Sequence, residues 1–88
     1  MMEMRKIEEA SVDCGVPREI ILHYIKEEWV MPANPEKAFF DDEDIARIKF
    51  IWELHSVLGV NDESIPIILH LIDQLNRIHL ELSKFRVH

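Results

Sequence analysis

Histidine, cysteine and acidic side chains are the groups of this chain that could support acid–base or metal chemistry. The five histidines are never three or four residues apart, so no two of them would share a helical face as metal ligands do. No serine–histidine–aspartate or cysteine–histidine arrangement is visible, and there is no glycine-rich phosphate loop. We therefore predict a protein that is not an enzyme and that has no metal site and no cofactor.

The single cysteine, Cys14, cannot form an internal disulfide, so an oxidising compartment is not implied. We interpret it as a small buried hydrophobic residue rather than a reactive thiol. No apolar run approaches the roughly 18 residues of a membrane span. The N-terminal sequence has no hydrophobic signal region, and we expect a cytoplasmic protein.

The charge balance argues against nucleic acid as a partner. The chain carries 17 acidic and 10 basic residues, for a net charge of −7. Affinity for a duplex comes largely from Lys and Arg that displace counterions, and no local basic patch is evident here. An acidic balance of this kind favours a basic protein partner, or simply solubility.

These side chains must be positioned by one domain, residues 1–88, which we predict to be mainly helical. Hydrophobic residues make up 48% of the chain, which is enough to build a core. A first helix is predicted over Lys6–Cys14. The "CGVP" turn follows, in which Gly15 can adopt a left-handed backbone. A second helix is predicted from Pro17 to about Glu28, with apolar residues at helical spacing.

A small β-hairpin, or wing, is predicted after the second helix. Two prolines and an Asn-Pro step exclude a helix there, and the apolar pieces Trp29–Met31 and Ala38–Phe40 flank a polar turn. The stretch "FDDEDIARIKFIWELHSVLG" then predicts a third helix. Asp41 would cap it, and Phe40 with Ile45 would form a hydrophobic staple across its first turn.

We predict that the domain consists of a winged helix-turn-helix unit, residues 5–60, and a C-terminal unit, residues 61–86. The C-terminal unit contains a long final helix that runs to residue 86. Its start lies between Asn61 and Ser64, and Ser64 as the cap would accommodate Pro66 better. Spacings of three and four residues define an apolar seam, which we expect to pack on a second copy of the chain. The seam consists of Ile68, Leu71, Leu75, Ile78, Leu82 and Phe85.

This order of elements resembles the MerR-like winged-helix domain, a mainly α fold with a hairpin wing and a long C-terminal helix. The resemblance covers about residues 5–72. The matching residues are Ile7, Gly15, Val16, Tyr24, Glu27, Pro32, Phe40, Asp44, Ile45, Ile48, Phe50, Ile51, Leu54 and Gly59.

The second helix departs from MerR-type regulators, which typically read "VSPRTLRYYEREGLL" where this chain has "VPREIILHYIKEEWV". The first two arginines of that pattern fall on Glu19 and Leu22, and the first tyrosine falls on His23. Arginines make the phosphate and base contacts in such helices, so these replacements remove the attraction to DNA.

A smaller branch is more similar, the chaperone-modulator proteins of the CbpM type. The turn Phe39–Asp42 and the tail Leu82–Phe85 match that branch. The resemblance implies binding to the J-domain of a DnaJ-like co-chaperone of the curved-DNA-binding type. It also implies inhibition of the stimulation that this co-chaperone gives to the DnaK-type chaperone.

Candidate partner-binding residues follow from the acidity of the second helix and from an unusual tryptophan in the third. They are Glu19, His23, Glu27, Glu28 and Trp52. Trp52 could instead pack on the final helix, whereas Trp29 is expected in the core, and Tyr24 half-buried with its hydroxyl reaching a partner. The alternatives are a MerR-like DNA-binding regulator and an adaptor domain with another partner, such as a phage excision-type protein.

Overall fold

The computed structural model describes residues 4–85, which form four α-helices joined by short connections. The helices are α1 (Ile7–Cys14), α2 (Arg18–Lys26), α3 (Asp42–Ser56) and α4 (Ile65–Phe85). The prediction of a mainly helical chain is confirmed. The expected end of the final helix at residue 86 lies outside the described residues.

A tight turn sets the direction of α2 relative to α1. Gly15 has φ = 67°, a left-handed backbone that a side chain would strain, and its N–H donates to the carbonyl of Ser11 at 3.0 Å. The Ser11 hydroxyl donates to the Val16 carbonyl at 2.6 Å, and Val16 is buried. The turn therefore brings α2 onto the core as a helix-turn-helix pair.

The segment between α2 and α3 differs from the predicted hairpin. Trp29 is buried in the core instead of starting a strand, and Pro32 and Pro35 have no N–H with which to pair. Asn34 and Phe39 form one antiparallel bridge around the turn 35–38. We call residues 31–40 the wing loop, because a two-stranded wing is not shown within residues 4–85.

The wing loop is fastened to the start of α3 by the carboxylate of Asp44. The Asp44 N–H donates to Asp41 Oδ1 at 2.9 Å, and Asp44 Oδ2 accepts the Asp41 N–H at 3.0 Å, so the two residues form a capping box. The same Oδ2 accepts the Ala33 N–H at 2.8 Å. Burial raises the pKa of the Asp44 carboxyl above its ordinary value, while these two backbone N–H groups oppose the shift.

The core lies between the helix-turn-helix pair and α3, and it also includes side chains from the first turns of α4. Trp29 is part of it, as predicted, and Phe40 and Ile45 are both buried, as the predicted staple requires. Cys14 is half-buried and packs against this core, which raises the pKa of its thiol chiefly through desolvation. The buried residues are Ala10, Val16, Ile21, Tyr24, Trp29, Val30, Phe40, Ile45, Ile48, Ile51, Leu54, Ile65 and Leu69.

The final helix begins one residue after Ser64. Asn61 Oδ1 accepts the Ser64 N–H at 3.0 Å in the turn before it, and Pro66 lies in the first helical turn, where a missing N–H is tolerated. Of the two starts left open by the sequence, the structure therefore favours Ser64. The buried side chains of α4 are those of Ile65 and Leu69, and the helix is largely exposed beyond Ile72.

Replacement of Asp44 by Ala is expected to lower the free energy of unfolding by about 1–3 kcal/mol, because the N–H groups of Ala33 and Asp41 lose their acceptor. Urea-induced unfolding at neutral pH measures the change. Glu43→Ala, an exposed position in the same helical turn, is the control and should cost only about 0.3 kcal/mol. Equal losses in the two variants would contradict this role of Asp44.

Candidate partner-binding surface

The exposed side of α2 holds most of the residues that the sequence singled out. Glu19, His23 and Glu27 are spaced by four residues, so they share one side of the helix, and both glutamates are exposed. Glu28 is exposed just past the end of the helix. Basic residues do not dominate this surface, because Arg18 and Lys26 are outnumbered by these three glutamates.

Trp52 does not lie on this surface. It belongs to α3 and packs against the core. Its side chain is half-buried there. The structure thus favours packing as the main role of Trp52, with part of the indole still open to a contact.

His23 takes part in a polar cluster that sequence reasoning missed. Its Nε2 lies 3.1 Å from Asp62 Oδ2, and the other oxygen of this carboxylate lies 2.9 Å from Nε2 of His55. The second contact has an ion-pair distance but not the angles of a hydrogen bond. Asp62 therefore links α2, α3 and the turn that precedes α4.

Tyr24 completes the cluster from the buried side. Its hydroxyl lies 3.1 Å from Nδ1 of His55, so it reaches a hydrogen-bond partner, as expected, and this partner lies inside the domain. The side chain is fully buried, not half-buried. Burial, with a smaller contribution from the charge of Asp62, raises the pKa of Tyr24 to about 12, which keeps the hydroxyl protonated.

Trp29 forms the floor of this cluster. Its ring centroid lies 5.5 Å from that of His23 in an edge-on arrangement and 5.7 Å from that of Tyr24. No local motif predicts the cluster, since His23 and Asp62 are 39 residues apart. The part of the chain that the structure describes contains no group of three or more His, Cys, Asp or Glu side chains arranged to hold a metal ion.

Arg47 connects the end of α2 to α4. Its Nε donates to the Trp29 carbonyl at 2.6 Å, and its two terminal nitrogens lie 3.1 and 3.4 Å from the carboxylate of Asp73. A second arginine, Arg5, is similarly engaged with Asp42 at 2.8 Å. These arginines hold the fold together, and their charges are neutralised locally.

The predicted seam of α4 is mostly free of contacts with the rest of the chain. Ile68 instead packs partly against the core. The other five seam residues have between 53% and 82% of their surface exposed, namely Leu71, Leu75, Ile78, Leu82 and Phe85. Among residues 4–85, no helix combines the length and the apolar character that a membrane crossing requires.

A helix-turn-helix pair, a bridged wing loop and two further helices define the class of protein as a helix-turn-helix domain. The sequence matches the family model of MerR helix-turn-helix regulatory proteins over residues 5–87, and the chain belongs to this family. No curated protein sequence gives a significant match. The family assignment confirms the MerR-like resemblance, but it does not distinguish DNA-binding regulation from chaperone modulation.

A pH titration of Tyr24, the only tyrosine of the chain, tests its buried contact with His55. The pKa of about 12 lies above the ordinary value of 10, so the neutral hydroxyl stabilises the fold below about pH 10, and this stability is lost as the pH rises towards 12. Tyrosinate absorbance and circular dichroism, followed together, test this. Ionisation near pH 10 with the helical signal intact would contradict the buried contact.

Proposed function

We propose that the protein is a chaperone modulator. It binds the J-domain of a DnaJ-like, curved-DNA-binding-type co-chaperone and inhibits the stimulation of the DnaK-type chaperone. The observation that carries the proposal is the surface of α2, where Glu19 and Leu22 stand exposed at the positions of the first two arginines in the helix of MerR-type regulators. An acid and an apolar side chain suit a basic protein surface better than a phosphate backbone.

The charge of the whole domain supports the same partner. J-domains engage the chaperone through a basic helix, and an acidic domain that covers this helix would occupy the same charges. A net charge of −7 would speed the encounter and make binding sensitive to salt. Arg5 and Arg47 are each paired with an aspartate, so these two pairs cancel internally and the excess of acidic charge is carried by other side chains.

We further propose that the active form is a homodimer assembled through α4. The exposed seam is a continuous apolar stripe on a helix whose outer half has few contacts within the chain, and such stripes are normally covered. A seam with this spacing suits a helix of a second copy.

A MerR-like DNA-binding regulator is the second candidate, and the family match favours it. This function would require the dimer to bind a specific duplex, with an affinity that falls steeply as salt rises. The surface of α2 gives such binding little electrostatic support, so we place it second.

Charge reversal on α2 tests the proposed inhibition. Addition of the protein should suppress ATP hydrolysis by the chaperone when the co-chaperone stimulates it. The double variant Glu19→Lys/Glu27→Lys should need about tenfold more protein for the same suppression, because it repels a basic partner. The control Glu8→Lys/Glu53→Lys changes the net charge equally at exposed sites on α1 and α3 and should act almost like the original protein.

Either of two results would count against this function. One is the absence of any suppression by the unmodified protein. The other is an equal loss in the two double variants, which would show that only the overall charge matters.

Leu75→Glu tests the dimer, since a carboxylate in an apolar interface would be buried without a partner. Light scattering after size-exclusion chromatography should give a dimer mass for the unmodified protein and a monomer mass for the variant. Leu58→Glu, at an exposed leucine outside the seam, should remain dimeric. A monomeric unmodified protein would refute the assembly.

A further inference from the structure

An apolar groove lies between α2 and the wing loop. Its volume is about 390 Å³, and its walls come from Leu22 and Ile25 of α2, from Val30, and from the wing loop. Two of these side chains are well exposed, Leu22 at 46% and Met31 at 69%. The groove is large enough for one or two apolar side chains of a partner, and Glu28 is the acidic residue among those that line it.

Backbone strain is concentrated at this groove. Within residues 4–85, Glu28 and Ala38 are the non-glycine residues with positive φ, at 62° and 53°, and both line the groove. Glu28 adopts the left-handed conformation that ends α2, with its N–H donating to the Ile25 carbonyl at 3.0 Å. Glycine is the residue that fits such a position without strain. Strained residues that persist together commonly mark a functional site.

The wing loop presents a preformed wall to this groove. Asn34 and Phe39 exchange two backbone hydrogen bonds of 3.2 Å, and Asn34 Oδ1 also accepts the Lys37 N–H at 3.2 Å. Pro32 and Pro35 restrict the backbone further. A groove held in this way loses little conformational entropy when a partner docks.

We propose that this groove is the docking site for the basic helix of the J-domain, an inference that rests on the proposed function. An apolar side chain of that helix would enter between Leu22 and Met31, and a neighbouring lysine or arginine would pair with the Glu28 carboxylate. A second copy of this chain is a poorer occupant, because a chain with 17 acidic and 10 basic residues complements the Glu28 carboxylate less well than a basic helix does.

Two substitutions of Glu28 separate its charge from its backbone strain. Glu28→Gly relieves the strain and should raise the melting temperature by roughly 4–8 °C. It should also weaken binding of the full-length chain to the intact co-chaperone by about tenfold. Glu28→Gln keeps the strain, so its melting temperature should stay unchanged while binding weakens to a similar degree.

Leu22→Arg tests the apolar part of the groove. Arginine and leucine have similar helix propensities, so the helix should persist, whereas a cation at the groove should weaken binding to a basic partner by about tenfold or more. Leu58→Arg, at an exposed leucine in the turn after α3, introduces the same charge away from the groove and should bind like the unmodified protein.

The outcomes distinguish the groove from the proposed function. If the unmodified chain binds the co-chaperone and all three groove variants bind equally well, the docking site is wrong and the proposed function stands. If the unmodified chain does not bind at all, both fall. Stabilisation by Glu28→Gly with unchanged affinity would also overturn the role of Glu28 in docking.

Discussion

Burial of Trp29 is the constraint on which the other parts of this domain depend. Its indole lies under His23, Tyr24 and His55, and its carbonyl accepts the hydrogen bond from Arg47. The first set of contacts joins the end of α2 to α3, and Arg47 extends the connection to α4. Because Trp29 is buried, the chain turns towards the core directly after α2. The wing loop that follows lies on the outer side of that helix.

The domain has the helix-turn-helix of MerR-family regulatory proteins, and the exposed side of its second helix is rich in acidic residues. Packing needs only the buried side of α2, which Ile21 and Tyr24 supply. The exposed side is free to change without loss of the fold, and here it carries glutamates and Leu22. Function must therefore be argued from that surface rather than from the fold.

Local signals in the sequence predicted much of the fold. Apolar periodicity gave the four helices, and Asp41 with Phe40 marked the start of α3. The predicted wing is not shown as a two-stranded hairpin within residues 4–85, because Trp29 is buried and two prolines cannot donate to a ladder, and one antiparallel bridge between Asn34 and Phe39 is present around the predicted turn. The contacts of His23 with Asp62 and of Tyr24 with His55 join distant parts of the chain, so no local pattern could reveal them. Ile68 fitted the seam by spacing alone, and only the tertiary packing placed it against the core.

A calorimetric titration of this protein with the intact co-chaperone, at about 50 and about 300 mM salt, tests the central claim most directly. A co-chaperone that lacks its J-domain serves as the control. We expect saturable binding that weakens as salt rises and that is lost when the J-domain is removed. No binding at either salt, or equal binding without the J-domain, would contradict the account.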